Sequence, residues 1–183
     1  MHPRKPPIPS CRKPPDTQTM IDSNVRIGHV HLRTADIDRV RAFYVDLLGF
    51  DVTYEARDVP GWGTTGDVLF VSAGGYHHHL GFNTWKSKDA PPQPDGVTGL
   101  HHVALLFSSE AELARTVKRL LDGGVEPYQA LDHGTHLAVY VSDPDDNDLE
   151  LAWDRPVDTW PQYQGTDFID APLDLAALLS KVG

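Results

Sequence analysis

A repeat within the chain constrains its fold more than any other feature. The run His29-Val-His-Leu32 falls on His102-Val-Ala-Leu105, and at the same offset Leu47-Leu48 falls on Leu120-Leu121 and Val52 on Val125. Self-similarity of this kind marks a supersecondary unit that cannot bury its apolar face alone and covers it with a second copy. The first copy begins at residues 25–32, which alternate like a half-buried strand. Thr34 or Asp36 can cap a following helix, on which Ile37, Val40, Tyr44, Leu47 and Leu48 share one face. Gly49 stands where a left-handed C-terminal cap is expected, and residues 50–56 read as a strand. A glycine-rich turn (Gly61, Gly63, Gly66) leads into a strand over residues 68–72, and Gly74-Gly75 turn the chain into another over residues 76–82. The order is β-α-β-β-β.

The order repeats after a Pro/Asp/Gly-rich connection at residues 86–98. A strand over residues 100–107 precedes a helix from about Glu110, with Leu113, Val117, Leu120 and Leu121 on its apolar face and Gly123-Gly124 at its end. Strands are expected over residues 125–131, 136–141 and 149–153, with a turn at residues 143–147. The fold class is α+β: two tandem βαβββ modules, residues 25–85 and 99–155, forming a curved mixed sheet around a cavity. Residues 1–22 are proline-rich and without periodicity, an expected disordered arm. The modules lie in a domain at residues 23–155, and residues 156–183 read as a tail with a short helix.

Ten histidines is a high number for 183 residues, and they cluster: His29 and His31, His77 to His79, His101 and His102, His133 and His136. His29 and His102 stand at matching places on the first strands of the two modules. Glu150 lies on the last strand between apolar neighbours, where a lone carboxylate must pair, protonate or bind a cation. If the modules pair about a pseudo-twofold axis, both imidazoles can reach one cavity. Two imidazoles and a carboxylate leave open metal positions, the facial arrangement of non-haem Fe(II) oxygenases, and also accept Mn, Co, Ni or Zn.

The net charge of −10 argues against nucleic acid or an anionic membrane as partner. No apolar run approaches the ~20 residues of a membrane span. One cysteine, Cys11, suits a reducing compartment, and prolines interrupt the N-terminal stretch where a signal peptide needs apolar residues. A cytoplasmic location is expected. No Gly-x-Ser-x-Gly elbow, phosphate-cradling loop or dinucleotide fingerprint is present in the sequence.

Ile27-Gly-His-Val-His-Leu followed by Phe43-Tyr-Val-Asp-Leu-Leu-Gly-Phe50 resembles the opening of a vicinal oxygen chelate module, shared by glyoxalases, bleomycin-resistance proteins and extradiol dioxygenases. Leu100-His-His-Val-Ala-Leu and Asp143-Pro-Asp-Asp-Asn-Asp-Leu-Glu-Leu resemble the start and end of a second one. The run from Phe70 through Tyr76-His-His-His-Leu to Trp85, with Trp153-Asp-Arg-Pro156, is similar to the catechol 2,3-dioxygenase-like branch. His133, Val139-Tyr140, Asp143-Pro144 and Glu150 follow the extradiol signature, with departures at Leu131 and at Asp146, which replaces a turn glycine.

The resemblance implies Fe(II), or Mn(II) or another divalent metal, on His29, His102 and Glu150, with a catechol-like aromatic substrate and O2 as partners. It places the acid–base histidine at His78, with His77 and His79 one position away and, on strand alternation, on the opposite face. It gives His133 and Tyr140 hydrogen bonds to substrate oxygens or to oxygen. Such an enzyme belongs to aromatic compound catabolism. The modules can close within one chain or by exchange in a homodimer. Two alternatives remain. One is a glyoxalase-type lyase or isomerase, against which His79 stands near that branch's fourth ligand, a glutamate. The other is a metal-free drug-binding or resistance protein, which the ligand set disfavours.

Overall fold

In the computed structural model, which describes residues 21–94, 96–162 and 170–182, each half of the sequence builds its own mixed sheet. The first half runs β1 (Val30–Arg33), α1 (Ile37–Arg41), β2 (Asp51–Gly61), β3 (Thr64–Ser72) and β4 (Leu80–Asn83). Its sheet has the order β1-β4-β3-β2, with β1 parallel to β4. The second half runs β5 (His102–Leu106), α2 (Glu110–Asp122), β6 (Gln129–Asp132), β7 (His136–Ser142) and β8 (Asp148–Asp154). Then come β9 (Ala171–Pro172) and α3 (Leu175–Leu179). The second sheet has the order β5-β8-β7-β6-β9, with β5 parallel to β8. The expected α+β duplication is therefore present as a four-stranded and a five-stranded sheet. The N-terminal arm lies outside the described residues apart from Ile21 and Asp22, which are exposed. Among the described residues no helix is long and apolar enough to cross a membrane.

The helix ends follow the local chemistry. Asp36 caps α1 by accepting from the Asp38 and Arg39 amides, and Ser109 caps α2 by accepting from Glu112 N. Gly49 (φ 87°) and Gly124 (φ 81°) supply the left-handed turns that follow the helices. One detail departs from simple helical periodicity. Beyond α1 the helix widens into a π turn, Ala42–Leu47, closed by Leu48 N donating to Phe43 O at 2.9 Å. The wider turn buries Phe43 beside Tyr44 and leaves Leu47 only half-buried.

The strand expected over residues 125–131 begins only at Gln129, and three other strand expectations need correction. β1 starts at Val30 rather than residue 25, its register with β4 running from Val30 opposite Leu80 to Arg33 opposite Asn83. Gly66 lies inside β3, not in the turn, and its missing side chain makes room for Trp85, whose backbone lies 2.8 Å from where a Cβ would stand. Residues 76–79 precede β4 and are not part of a strand.

The modules share one apolar core. Val40, Tyr44, Leu69 and Phe82 from the first half cluster with Leu113, Val117, Leu149 and Leu151 from the second. Polar contacts fix the joint. Arg119 donates to the carbonyls of Leu47 (3.1 Å) and Leu48 (2.9 Å) at the end of the π turn. Tyr44 donates its buried phenol to Asp143 Oδ2 at 2.9 Å, and Arg39 pairs with Asp145 at 3.0 Å. Asp146 takes φ 61° in this turn, the conformation a glycine would adopt more cheaply. Burial raises the Asp143 carboxyl above its ordinary value, against Asn147, the Asp145 amide and Tyr44, which favour its charged form.

Tyr44→Phe removes one donor from a buried carboxylate and is expected to cost about 1–3 kcal/mol at neutral pH in urea unfolding. Losing the donor raises the folded-state pKa of Asp143 further, so the deficit grows as pH rises from below about 4, where the carboxyl is protonated in both states. An unchanged unfolding midpoint at neutral pH would show that this hydrogen bond does not secure the joint.

Candidate metal centre

Sheet register assembles the site in the second half. Ala104 on β5 lies opposite Glu150 on β8, and Tyr140 on β7 lies opposite Glu150 from the other side. Side chains alternate across a strand. His102, Ala104, Glu150, His136, Ala138 and Tyr140 therefore share one face, while Val103, Leu149, Leu151, Val139 and Val141 fill the core. Glu150 is only 6% exposed. Its Oε2 lies 2.9 Å from His102 Nε2, and its Oε1 lies 2.8 Å from His136 Nε2.

The β6–β7 hairpin brings in His133. His133 N donates to His136 O at 3.0 Å across a tight turn in which Gly134 takes φ 76°. Asp132 stabilises that turn by accepting from Gly134 N at 2.9 Å and from Arg155 at 2.7 Å. The buried His133 ring stacks on His136 with centroids 4.6 Å apart, and its Nε2 lies 3.1 Å from the Tyr140 hydroxyl. Burial, with the Glu150 carboxylate adding to it, pushes the Tyr140 phenol up to about 12.

The first half contributes a histidine and aromatic group. His29 immediately precedes β1 and packs on His78 (4.4 Å between centroids) and on His77 (6.1 Å). Since residues 76–79 are not a strand, the expected alternation among the three histidines does not hold. His77 and His78 meet, with their Nδ1 atoms 2.8 Å apart. His79 turns away, its Nδ1 3.1 Å from Ser72 Oγ and accepting from Ala73 N at 3.2 Å. His78 stacks on Phe70 at 4.4 Å and 16°, and Tyr54 flanks Phe70 at 5.6 Å. Burial, then His29, His77 and His31, lower the His78 pKa below its ordinary value. His29 and His102 line one cavity of about 870 Å³, together with Phe50, His79, Leu100 and Phe107.

The structure thus joins His102 to Glu150 and His133 to Tyr140, and places His29, which lines the cavity, beside His78. Among the described residues, the candidate ligands whose donor atoms all lie within 4.8 Å of one another are His133, His136 and Glu150, a group without His29 or His102. His136 is the residue that sequence reasoning missed. Alternation along β7, counted back from Tyr140 through Ala138, would have put it on the face of Glu150.

Residues 26–151 match the Glyoxalase/Bleomycin resistance protein/Dioxygenase superfamily. The chain is 36% identical over 109 residues to a catechol-2,3-dioxygenase of Bacillus subtilis (strain 168), covering 60% of this chain and 36% of that protein. It is 28% identical over 130 residues to biphenyl-2,3-diol 1,2-dioxygenase 2 of Rhodococcus globerulus, covering 71% and 63%. The chain therefore spans about a third of the first relative's length and under two thirds of the second's. In fold it is similar to a glyoxylase/bleomycin resistance protein/dioxygenase domain from Frankia sp. EAN1pec, with a TM-score of 0.62 at 19% identity over 73% of this chain and all of that one. A duplicated βαβββ fold and a sequence match over most of its length make this chain a member of the Glyoxalase/Bleomycin resistance protein/Dioxygenase superfamily.

Proposed function

We propose that the protein is an Fe(II)-dependent extradiol-type dioxygenase that cleaves a catechol-like aromatic ring with O2. The observation that carries this reading is the His102–Glu150 pair set beside the His133–Tyr140 pair on one sheet face. The diol dioxygenases among the relatives support it.

His29, His102 and Glu150 hold the metal in this reading. The donor set fits a borderline divalent cation. Glu150 is buried, and among the described residues its ion pairs are with imidazoles rather than with lysine or arginine. Fe(II), with Mn(II) or another divalent ion as the alternative, would supply the redox chemistry that couples substrate to O2. The chain's own groups do the rest. Tyr140 and His133 orient substrate oxygens beside Glu150. His78 accepts a proton from the substrate hydroxyl and returns it later. Phe70 and Tyr54 form an aromatic wall next to His78. A second ligand set has its own support: His133, His136 and Glu150 lie close enough to bind a cation within the second module alone.

Divalent metal is expected to raise the thermal midpoint. At a hundredfold excess over Kd the gain is about 2.7 kcal/mol, equivalent to about 5–10 °C for a chain of this size. Glu150→Ala should abolish the shift, and stoichiometric metal binding by that variant would overturn both ligand sets. His29→Ala should weaken binding more than His136→Ala, and the reverse order would select the second set.

After anaerobic Fe(II) reconstitution, O2 uptake and ring cleavage on a panel of catechols test the reaction itself. Metal binding without O2 uptake would replace the dioxygenase with a lyase that uses the ion as a Lewis acid. His78→Ala should keep its metal and lose at least about a hundredfold in kcat. Full activity in that variant would remove His78 from the proton-transfer role.

A further inference from the structure

The chain beyond the two modules returns to the site. β9 pairs antiparallel with β6, Leu131 opposite Pro172 and Asp132 opposite Ala171, and Leu173 N donates to Ala130 O at 3.0 Å. Asp174 caps α3 by accepting from Ala177 N, and α3 packs on α2 with Leu178 buried in the shared core. Lys181 pairs with Glu110 at the start of α2. The segment is thus anchored at several points, and the anchoring delivers Asp170. Its Oδ1 lies 2.7 Å from His133 Nδ1, and on the other side of that ring Nε2 faces the Tyr140 hydroxyl at 3.1 Å.

We propose that Asp170 is a positioning residue that fixes the tautomer of His133 and thereby the direction of the Tyr140 proton. A neutral imidazole has one nitrogen that donates and one that accepts. A carboxylate only accepts, so Asp170 requires the hydrogen on Nδ1 and leaves the Nε2 lone pair toward Tyr140. The phenol then donates to His133. Tyr140 also lies opposite Glu150, whose carboxylate helps to raise its pKa. With the phenol proton given to His133, the Glu150 oxygens stay available to a cation and the Tyr140 oxygen keeps its lone pairs for a donor on the substrate. Without Asp170, a hydrogen on Nε2 would point at the phenol oxygen and turn the Tyr140 proton toward Glu150. The consequence for turnover rests on the dioxygenase reading above, whereas the tautomer does not.

The test is long-range proton–nitrogen correlation NMR on the full chain carrying nitrogen-15 histidine, loaded with Zn(II) so that the signals stay sharp. His133 should carry its hydrogen on Nδ1 in the wild type and on Nε2 in Asp170→Ala. Asp170→Asn keeps an acceptor oxygen and should restore the Nδ1–H form. Asp170 is half exposed, so these variants are expected to fold, and dispersed spectra with an unchanged thermal midpoint verify it. Under turnover, Asp170→Ala should lower kcat about 10-fold or more with metal content and KM little changed, and Asp170→Asn should recover part of that loss. The same tautomer in the wild type and Asp170→Ala would overturn the proposal. A wild type without ring-cleaving activity leaves the tautomer result intact, so the two readings fail separately.

Discussion

A carboxylate placed inside a sheet must have its charge answered, and Glu150 is the group around which this structure is organised. Removing such an ion from water costs several kcal/mol unless well-placed partners restore what water supplied. Each Glu150 oxygen meets an imidazole Nε2, one from β5 and one from β7, so the strands on both sides of β8 contribute. Leu149 and Leu151 point the other way and anchor β8 in the core, which leaves the carboxylate no route to solvent by sliding. Two imidazoles can hydrogen-bond an anion, and a divalent cation can in addition cancel its charge, which is the physical support for the proposed metal centre.

The joint between modules decides whether His29 can act with that centre. It is built at the helix ends, away from the first strands. Arg119 holds the carbonyls at the end of the π turn, and Tyr44 reaches Asp143 at the tip of the β7–β8 connection. That connection ends where β8 begins, so a contact made by the first module bears on the strand that carries Glu150. Asp143 also accepts from Asn147 and from the Asp145 amide, and the turn is rigid for that reason. Meanwhile β1 and β5 are edge strands of separate sheets, and the cavity lies between them. The first module is thereby held to the second without closing the space that a substrate would need.

The duplication, the cap of α1 and the burial of Glu150 were legible because each rests on a local pattern: matched apolar spacing, an acceptor before a helix, a charge among leucines. The resemblance named His133 and Tyr140 as partners of substrate oxygens or of oxygen, not of each other, and their contact comes from the hairpin geometry. Other features were not legible, for different reasons. His136 begins a strand, and alternation back from Tyr140 gives its face, but only the Tyr140–Glu150 register puts that face beside the carboxylate. The histidines at 77–79 looked like part of a strand because apolar residues follow them, yet β4 starts only where β1 offers a partner. Asp170 stands far along the chain from His133, and nothing in its neighbourhood signals that β9 will add to the edge of β6. Local signals carry elements; long-range register carries sites.

Duplication did not give two equivalent centres, and the register shows why. Aligning β1 with β5 places Val30 on Val103, and their parallel partners then place Leu80 on Leu149 and Gly81 on Glu150. The apolar position is kept in both copies, because both must face the shared core. The inward position is not. In the second module β5 presents the small Ala104 and β8 the long Glu150, whereas in the first module β1 presents His31 and β4 presents Gly81. A side chain at Gly81 would put its Cβ 2.9 Å from the His31 ring, so large and small have exchanged places across the strand pair. His31 then packs against Phe70, which His78 covers, and the first module's inner face becomes aromatic instead of acidic. One copy carries a buried carboxylate and the other flat aromatic surfaces, so the duplication yields two chemically different faces rather than two like sites.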